Sequence, residues 1–198
     1  MGKLDILQTE ISGVYLVDAH PFIDHRGEWG RLFCQEELKS ILGERHLVNI
    51  NLSKTTARGT VRGMHYQLPP MAEMKLVRCL HGTIFDVAVD LRQNSATYLK
   101  WIGVELSEKN RNMIVIPEGF DHGFQALTDD VEMLYLHTQF YSPELERGLR
   151  YNDEELGINW PLPPIGLSDR DSKHPLIDST FEGVILDGER RLHYNEHR

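Results

Sequence analysis

A chain of 198 residues with 40% hydrophobic and 26% charged side chains has the composition of one ordinary globular domain, long enough for a sizeable core and too mixed for a disordered segment. Its formal net charge of −9 argues against a nucleic-acid surface. No apolar run reaches membrane-spanning length and the N-terminus MGKLDILQTE is too polar for a signal peptide, so no membrane partner and a cytoplasmic location are expected.

From the N-terminus, short apolar pieces at Val14–Val17 and Arg31–Phe33 lie either side of Asp24-His25-Arg26-Gly27, which predicts strands around a tight connection. In QEELKSIL, residues 35–42, Leu38, Ile41 and Leu42 recur at helical spacing and Gly43 follows as a stop, predicting one short peripheral helix. After it the helical period disappears. Leu47–Leu52, Met74–Leu80, Thr83–Asp90, Tyr98–Leu106, Met113–Ile116 and Val131–Tyr141 are short, β-branched or aromatic, and spaced by Gly, Pro, Asn and Asp. Many short strands without helices between them predict an all-β sandwich, barrel or jelly roll. From Pro143 the chain reads as loops and turns. Residues 1–185 are expected to form a single domain, with 186–198, LDGERRLHYNEHR, as a charged tail, frayed or packed peripherally. Cys34 and Cys79 are far apart with no metal-type spacing and read as free thiols in a reducing cytosol.

The stretch Arg58 to Gly82, RGTVRGMHYQLPPMAEMKLVRCLHG, places Arg58, Arg62, His65, Lys75 and Arg78 together in an otherwise acidic protein. Arg62 is a phosphate-binding fork, His65 a titratable base and Lys75 a mobile cation, the parts needed to handle an anionic substrate. Gly59 and Gly63 allow the backbone to bend or to be approached closely. The plainer alternative is a strand–turn–strand with solvated charges at its ends. In Val131–Tyr141, period-2 alternation puts Met133, Tyr135, His137 and Tyr141 on one face, as an amphipathic rim or a pocket wall with a phenolic acid. Pro117–Phe124 reads as a Gly-punctuated turn around His122. His65, Glu73 and His122 have spacing similar to the ligand set of metal-binding cupins. Gln67 stands where the second histidine of that set belongs, and the basic neighbours oppose a cation, so no metal is expected.

RGTVRGMHYQ, KLVRC followed by GTIFDVAVDLR, the IPEGFDHGF segment, Tyr135…Thr138…Tyr141, the INWP at 158–161 and the LSDRD at 167–171 together resemble the dTDP-4-dehydrorhamnose 3,5-epimerase family, in order, over about residues 10–175. The resemblance implies a cupin jelly roll that dimerises, works without a cofactor, and epimerises a nucleotide-diphospho-4-keto-6-deoxysugar in deoxysugar and O-antigen biosynthesis. By the same resemblance His65 is the base, Asp171 accepts its other ring N–H, Tyr135 is the acid on the opposite sugar face, and Lys75 stabilises the enolate with support from His122. Arg62 and Arg26 would hold the diphosphate or nucleotide, helped by Asn49 and Asn51, with Tyr141, Glu146 and Arg170 as further contacts. A base and an acid on opposite ring faces, with a cation near the carbonyl oxygen, are what enolisation beside a 4-keto group requires.

Three positions depart from the family pattern: Arg31 where a glutamate is frequent, Asn49 where a glutamine is frequent, and Asp121 where a small residue is usual. Arg31, as a second arginine near the nucleotide, is expected to alter the preference for thymidine; a surface pair with Glu28 is its alternative role. Other readings are a single-centre epimerase or ketoisomerase on a CDP- or GDP-linked sugar, and a catalytically silent sugar-nucleotide-binding cupin.

Overall fold

The computed structural model describes residues 3–186, and the expected tail, apart from Leu186, lies outside the described residues. Thirteen strands run in chain order as β1 (Lys3–Gln8), β2 (Tyr15–His20), β3 (Phe22–Asp24), β4 (Gly27–Trp29), β5 (Asn49–Thr55), β6 (Val61–Gln67), β7 (Lys75–His81), β8 (Thr83–Asp90), β9 (Trp101–Ser107), β10 (Met113–Ile116), β11 (Phe120–Ala126), β12 (Val131–His137) and β13 (Glu146–Arg147). A short helix α1 (Lys39–Leu42) and one 3-10 turn (Asp171–Lys173) complete the elements. A six-stranded sheet, β1-β2-β10-β7-β12-β5, faces a five-stranded sheet, β13-β6-β11-β8-β9, and β3 and β4 form a separate hairpin. The strand pairings are antiparallel. This is the cupin jelly roll that the resemblance implies.

Alternation along the strands divides the apolar residues among three clusters. Val77, Cys79, Met133, Ile84, Phe120 and Phe124 fill the space between the sheets. Leu76, Met113, Val17 and Leu136 point the other way and are capped by Leu38 and Leu42 around α1. On the outer face of the five-stranded sheet, Met64, Val87 and Val89 are covered by Leu149, Leu156 and Val184 from the long C-terminal segment. That segment carries little regular structure, yet it returns Asp171 to the mouth of the sandwich.

Several expectations are corrected. The predicted helix at 35–42 is helical only over Lys39–Leu42, with turns before it; Leu38 caps it without a side-chain hydrogen bond, since no Ser, Thr, Asp or Asn sits there. Its apolar face is as read, because Leu38 and Leu42 are fully buried. Arg31–Phe33 is irregular and β1, unforeseen, lies earlier as an edge strand. Residues 117–124 are not one turn: His122 sits within β11, which is buried along its whole length. A strand covered on both faces shows no alternation, and its glycines imitate a loop. Strand β12 stops at His137, so Tyr141 lies beyond it and does not share its pleat.

Candidate active site

Gly63 allows β6 to press against β11. Its φ is +116°, and a Cβ there would lie 2.7 Å from the Gly123 Cα and 2.8 Å from the His122 carbonyl oxygen. The β6–β11 register slips between His122 and Phe124, and His65 stands directly across from His122. Both histidines line a cleft of about 670 Å³, with Lys75 from β7, Tyr135 from β12, and Asp171 and Arg170 from the C-terminal segment.

His65 is fixed from one side. Its Nε2 lies 2.9 Å from Asp171 Oδ1, while Asp171 Oδ2 accepts the Gly63 N–H at 3.1 Å. Burial alone would raise the Asp171 carboxyl, but the hydrogen bonds from His65 and Gly63 outweigh it and hold the group well below the usual carboxylate range. An ionised Asp171 accepts Nε2–H and leaves the lone pair on Nδ1, the form a general base needs. Arg170 Nη2 also lies 2.8 Å from Nε2, and its Nη1 donates to Glu146 at 2.6 Å. A guanidinium only donates, so Arg170 and Asp171 compete for Nε2 through opposite tautomers.

Tyr135 meets the His122 ring edge-on, with centroids 6.4 Å apart, and stacks on His137 at 6.1 Å. The Ser53 hydroxyl donates to its oxygen at 3.4 Å. Burial raises the phenol far above its ordinary range, so it keeps its proton at neutral pH. Lys75 Nζ donates to the His65 carbonyl oxygen at 2.9 Å and lies 3.5 Å from Glu73 Oε1. Glu73 in turn meets His137 Nδ1 at 2.8 Å. Burial would raise Glu73 too, but His137 and Lys75 draw it down, so its carboxylate belongs to this pair and not to a set with His65 and His122. His122 Nε2 lies 2.9 Å from Asp86 Oδ2, a fully buried carboxylate raised by burial against the pull of His122.

The remaining expected residues divide. Arg62 lines the cleft, its Nε donating to Thr55 Oγ1 at 2.8 Å and its Nη2 to the Lys54 carbonyl at 3.0 Å. Asn51, Tyr141 and Glu146 line it as well, with Tyr141 Oη donating to Glu146 at 2.8 Å. Asn49 shares the face of Asn51 but pairs further along, opposite His137, and does not line the cleft. Arg26 is at the exposed hairpin tip, paired with Asp24 at 2.6 Å. Arg31 also lies outside the cleft, paired with Glu37; Glu28, its expected surface partner, pairs with Arg111. Sequence reasoning did not single out Asp86, Ser53 or His174. A carboxylate inside the apolar run IFDVAV was the signal for Asp86. The His174 ring, centred 5.6 Å from that of His65, offered none.

A family model described as dTDP-4-dehydrorhamnose 3,5-epimerase matches residues 8–179. The dTDP-4-dehydrorhamnose 3,5-epimerase of Shigella flexneri is 43% identical over 169 residues, covering 85% of this chain and 93% of that one. The crystal structure of the dTDP-6-deoxy-D-glucose-3,5-epimerase from Legionella pneumophila, in complex with dTDP-4-keto-L-rhamnose, superposes with a TM-score of 0.83 at 36% identity, covering 87% and 92% of the two chains. ChmJ, a 3'-monoepimerase from Streptomyces bikiniensis solved with dTDP-quinovose, gives 0.82 at 27% identity over 97% and 98%. The family model spans most of the chain, and relatives more than 40% identical cover most of both chains, so the chain belongs to the dTDP-4-dehydrorhamnose 3,5-epimerase family.

Proposed function

We propose that this chain inverts C3 and C5 of a dTDP-linked 4-keto-6-deoxyhexose by proton abstraction and reprotonation, as a step of deoxysugar biosynthesis. The observation that carries this reading is the placing of His65, held by an ionised Asp171, in one cleft with a protonated Tyr135. His65 takes the hydrogen beside the ketone, and the electron pair moves onto the C4 oxygen as an enolate. Lys75 supplies positive charge to that oxygen in a partly dry cleft. Tyr135 returns a proton to the opposite face of the carbon, which inverts it. Before the second carbon reacts, His65 gives its proton to water and Tyr135 takes one back, and the same three groups then act again. Every proton in this scheme moves between side chains, substrate and water, so no cofactor takes part.

Arg62 and Arg170 suit the diphosphate. When a phosphate draws Arg170 away from Nε2, the His65–Asp171 hydrogen bond is left uncontested and the base is in its working tautomer. Arg31 pairs outside the cleft with Glu37, which supports thymidine as the base. The dimer is supported by β5, an edge strand whose Ile50 and Leu52 are 65% and 63% exposed in the single chain. The free thiols Cys34 and Cys79 support the cytoplasm as its compartment.

The test is to incubate the protein with dTDP-4-keto-6-deoxyglucose in D2O and follow C3 and C5 by NMR. Deuterium entering both positions with inversion is expected; exchange at one carbon alone would make the chain a single-centre epimerase, and no exchange would make it a binding protein.

A further inference from the structure

Three histidines line the cleft, and each is held by a carboxylate: His65 by Asp171, His122 by Asp86 and His137 by Glu73. The scheme above uses the first pair and its support and leaves the third without a task. His137 Nδ1 lies 2.8 Å from Glu73 Oε2, and Glu73 Oε1 lies 3.5 Å from Lys75 Nζ. Burial would lift the Glu73 carboxyl, yet His137 and Lys75 hold it below its ordinary range. An ionised carboxylate only accepts, so His137 carries a proton on Nδ1. Its ring also stacks on Tyr135, 18° from parallel with centroids 6.1 Å apart. Nε2 is the end left over. It has no hydrogen-bond partner among the described residues and is not one of the polar atoms closed off from solvent.

Strand register decides which part of a substrate lies there. His137 stands directly opposite Lys75 across the β7–β12 pair, a relation in which side chains on one face meet. Arg62 belongs to the other end of the same wall. It reaches Thr55 and the Lys54 carbonyl, and those residues pair with Val131 and Glu132 at the start of β12. These partners of Arg62 are neutral, so its charge is left for the diphosphate, whereas Glu73 repels a phosphate. The sugar therefore lies along β12 with its anomeric end toward Arg62, its reacting carbons at Tyr135 and its C4 oxygen at Lys75. His137 meets whatever stands beside that oxygen. On C5 this is a methyl group, which forms no hydrogen bond; on C3 it is a hydroxyl. A hydroxyl both donates and accepts, so it suits Nε2 with or without a proton.

We propose, on the epimerase reading above, that His137, oriented by Glu73, is a specificity-determining residue whose Nε2 hydrogen-bonds the 3-hydroxyl of the sugar. With Lys75 beside it, the hydroxyl and the ketone are gripped as a pair. Removing the C3 hydrogen turns that pair into a planar enediolate whose two oxygens still face the same two side chains. The site thereby selects an α-hydroxy ketone over a ketone that lacks the hydroxyl.

The test compares dTDP-4-keto-6-deoxyglucose with its 3-deoxy analogue, reading kcat/KM for deuterium uptake at C5, a carbon the two sugars share. The parent should favour the 3-hydroxy sugar by at least about tenfold. His137→Phe, which keeps a ring against Tyr135, should treat the two sugars alike to within about twofold. The double variant His137→Phe with Glu73→Gln also removes the carboxylate left unpaired, and decides the matter if the single variant does not fold. A purely structural role for His137 would slow both sugars equally and leave their ratio at the parent's value. That result, or a parent that does not discriminate, would overturn the assignment while the epimerase reading stands. A parent that exchanges neither sugar would overturn both.

Discussion

At the scale of residues, chemistry at a carbon beside a ketone divides into removing a proton and returning one, and the two acts fall to different side chains. His65→Asn should abolish deuterium exchange at both C3 and C5, since one base serves each enolisation; exchange at the parent rate would remove His65 from the role. Tyr135→Phe should leave exchange with retained configuration, because His65 can still remove and return a proton on one face. Inversion should then fall by about 10²–10⁴-fold. If inversion is unchanged, the acid is another group, Tyr141 or a water. Asp121 makes a different kind of prediction. It is fully buried on β11, one oxygen accepting the Leu149 N–H at 3.0 Å and the other meeting no donor, and burial pushes its carboxyl up to about 8. The unfolded group titrates near 3.8. Below that pH both states are protonated and the residue adds no pH dependence. Between about 4 and 8 only the unfolded chain releases the proton, so stability falls as pH rises and levels off above 8. Tm should decline through that window in the parent, and the decline should be much shallower in Asp121→Asn, each kcal/mol being worth about 2–4 °C in a chain of this size. Parallel Tm curves for the two proteins would mean that Asp121 is ionised in the fold.

At the scale of elements, the site depends on how closely β6 and β11 approach. Gly63→Ala would set a Cβ against the Gly123 backbone, where no flexible side chain can give way. It should cost about 1–3 kcal/mol of stability and displace His65 from Asp171, seen as a lower Tm together with slower solvent exchange; a fully active, equally stable alanine variant would make the contact incidental. The same pair of strands shows what was legible in the sequence and what was not. RGMHYQ and Lys75 could be read because they belong to a cluster of basic residues in an acidic chain, and Tyr135 because alternation puts it on one face of its strand with His137. Phe120–Ala126 could not, since a strand buried on both faces loses its period and keeps only its glycines as a signal. The partners Asp86 and Asp171 come to the histidines from 36 and 106 residues away. Only the resemblance, not spacing, anticipated Asp171. Arg26 and Arg31 were drawn toward the site by resemblance as well, and in the single chain local carboxylates hold both outside the cleft.

At the scale of the molecule, the outer face of the six-stranded sheet is unfinished. Near α1 it is capped by Leu38 and Leu42, but toward β5 the apolar residues Ile50, Leu52 and Leu80 remain exposed, and Phe22, Ile23 and Trp29 project from the β3–β4 hairpin. Among the described residues strand β5 pairs only with β12, so its other edge offers N–H and C=O groups that no described strand pairs, beside that apolar surface. A long edge strand with apolar neighbours invites a second strand unless charge or proline blocks it. Lys54 is the one charged side chain in NINLSKT and sits at its far end. A second copy meeting this face can bury the apolar patch and continue the sheet, and a stable interface requires about 1,200–2,000 Å² in total. The protein should therefore sediment at twice its 22.9 kDa chain mass. Leu52→Glu should shift it to the monomer, because the mutation puts a charge where the two copies would meet. The fold of each chain should survive, as Leu52 is 63% exposed within it. A parent protein that sediments as a monomer at micromolar concentration, or a glutamate variant that stays dimeric, would move the interface away from β5.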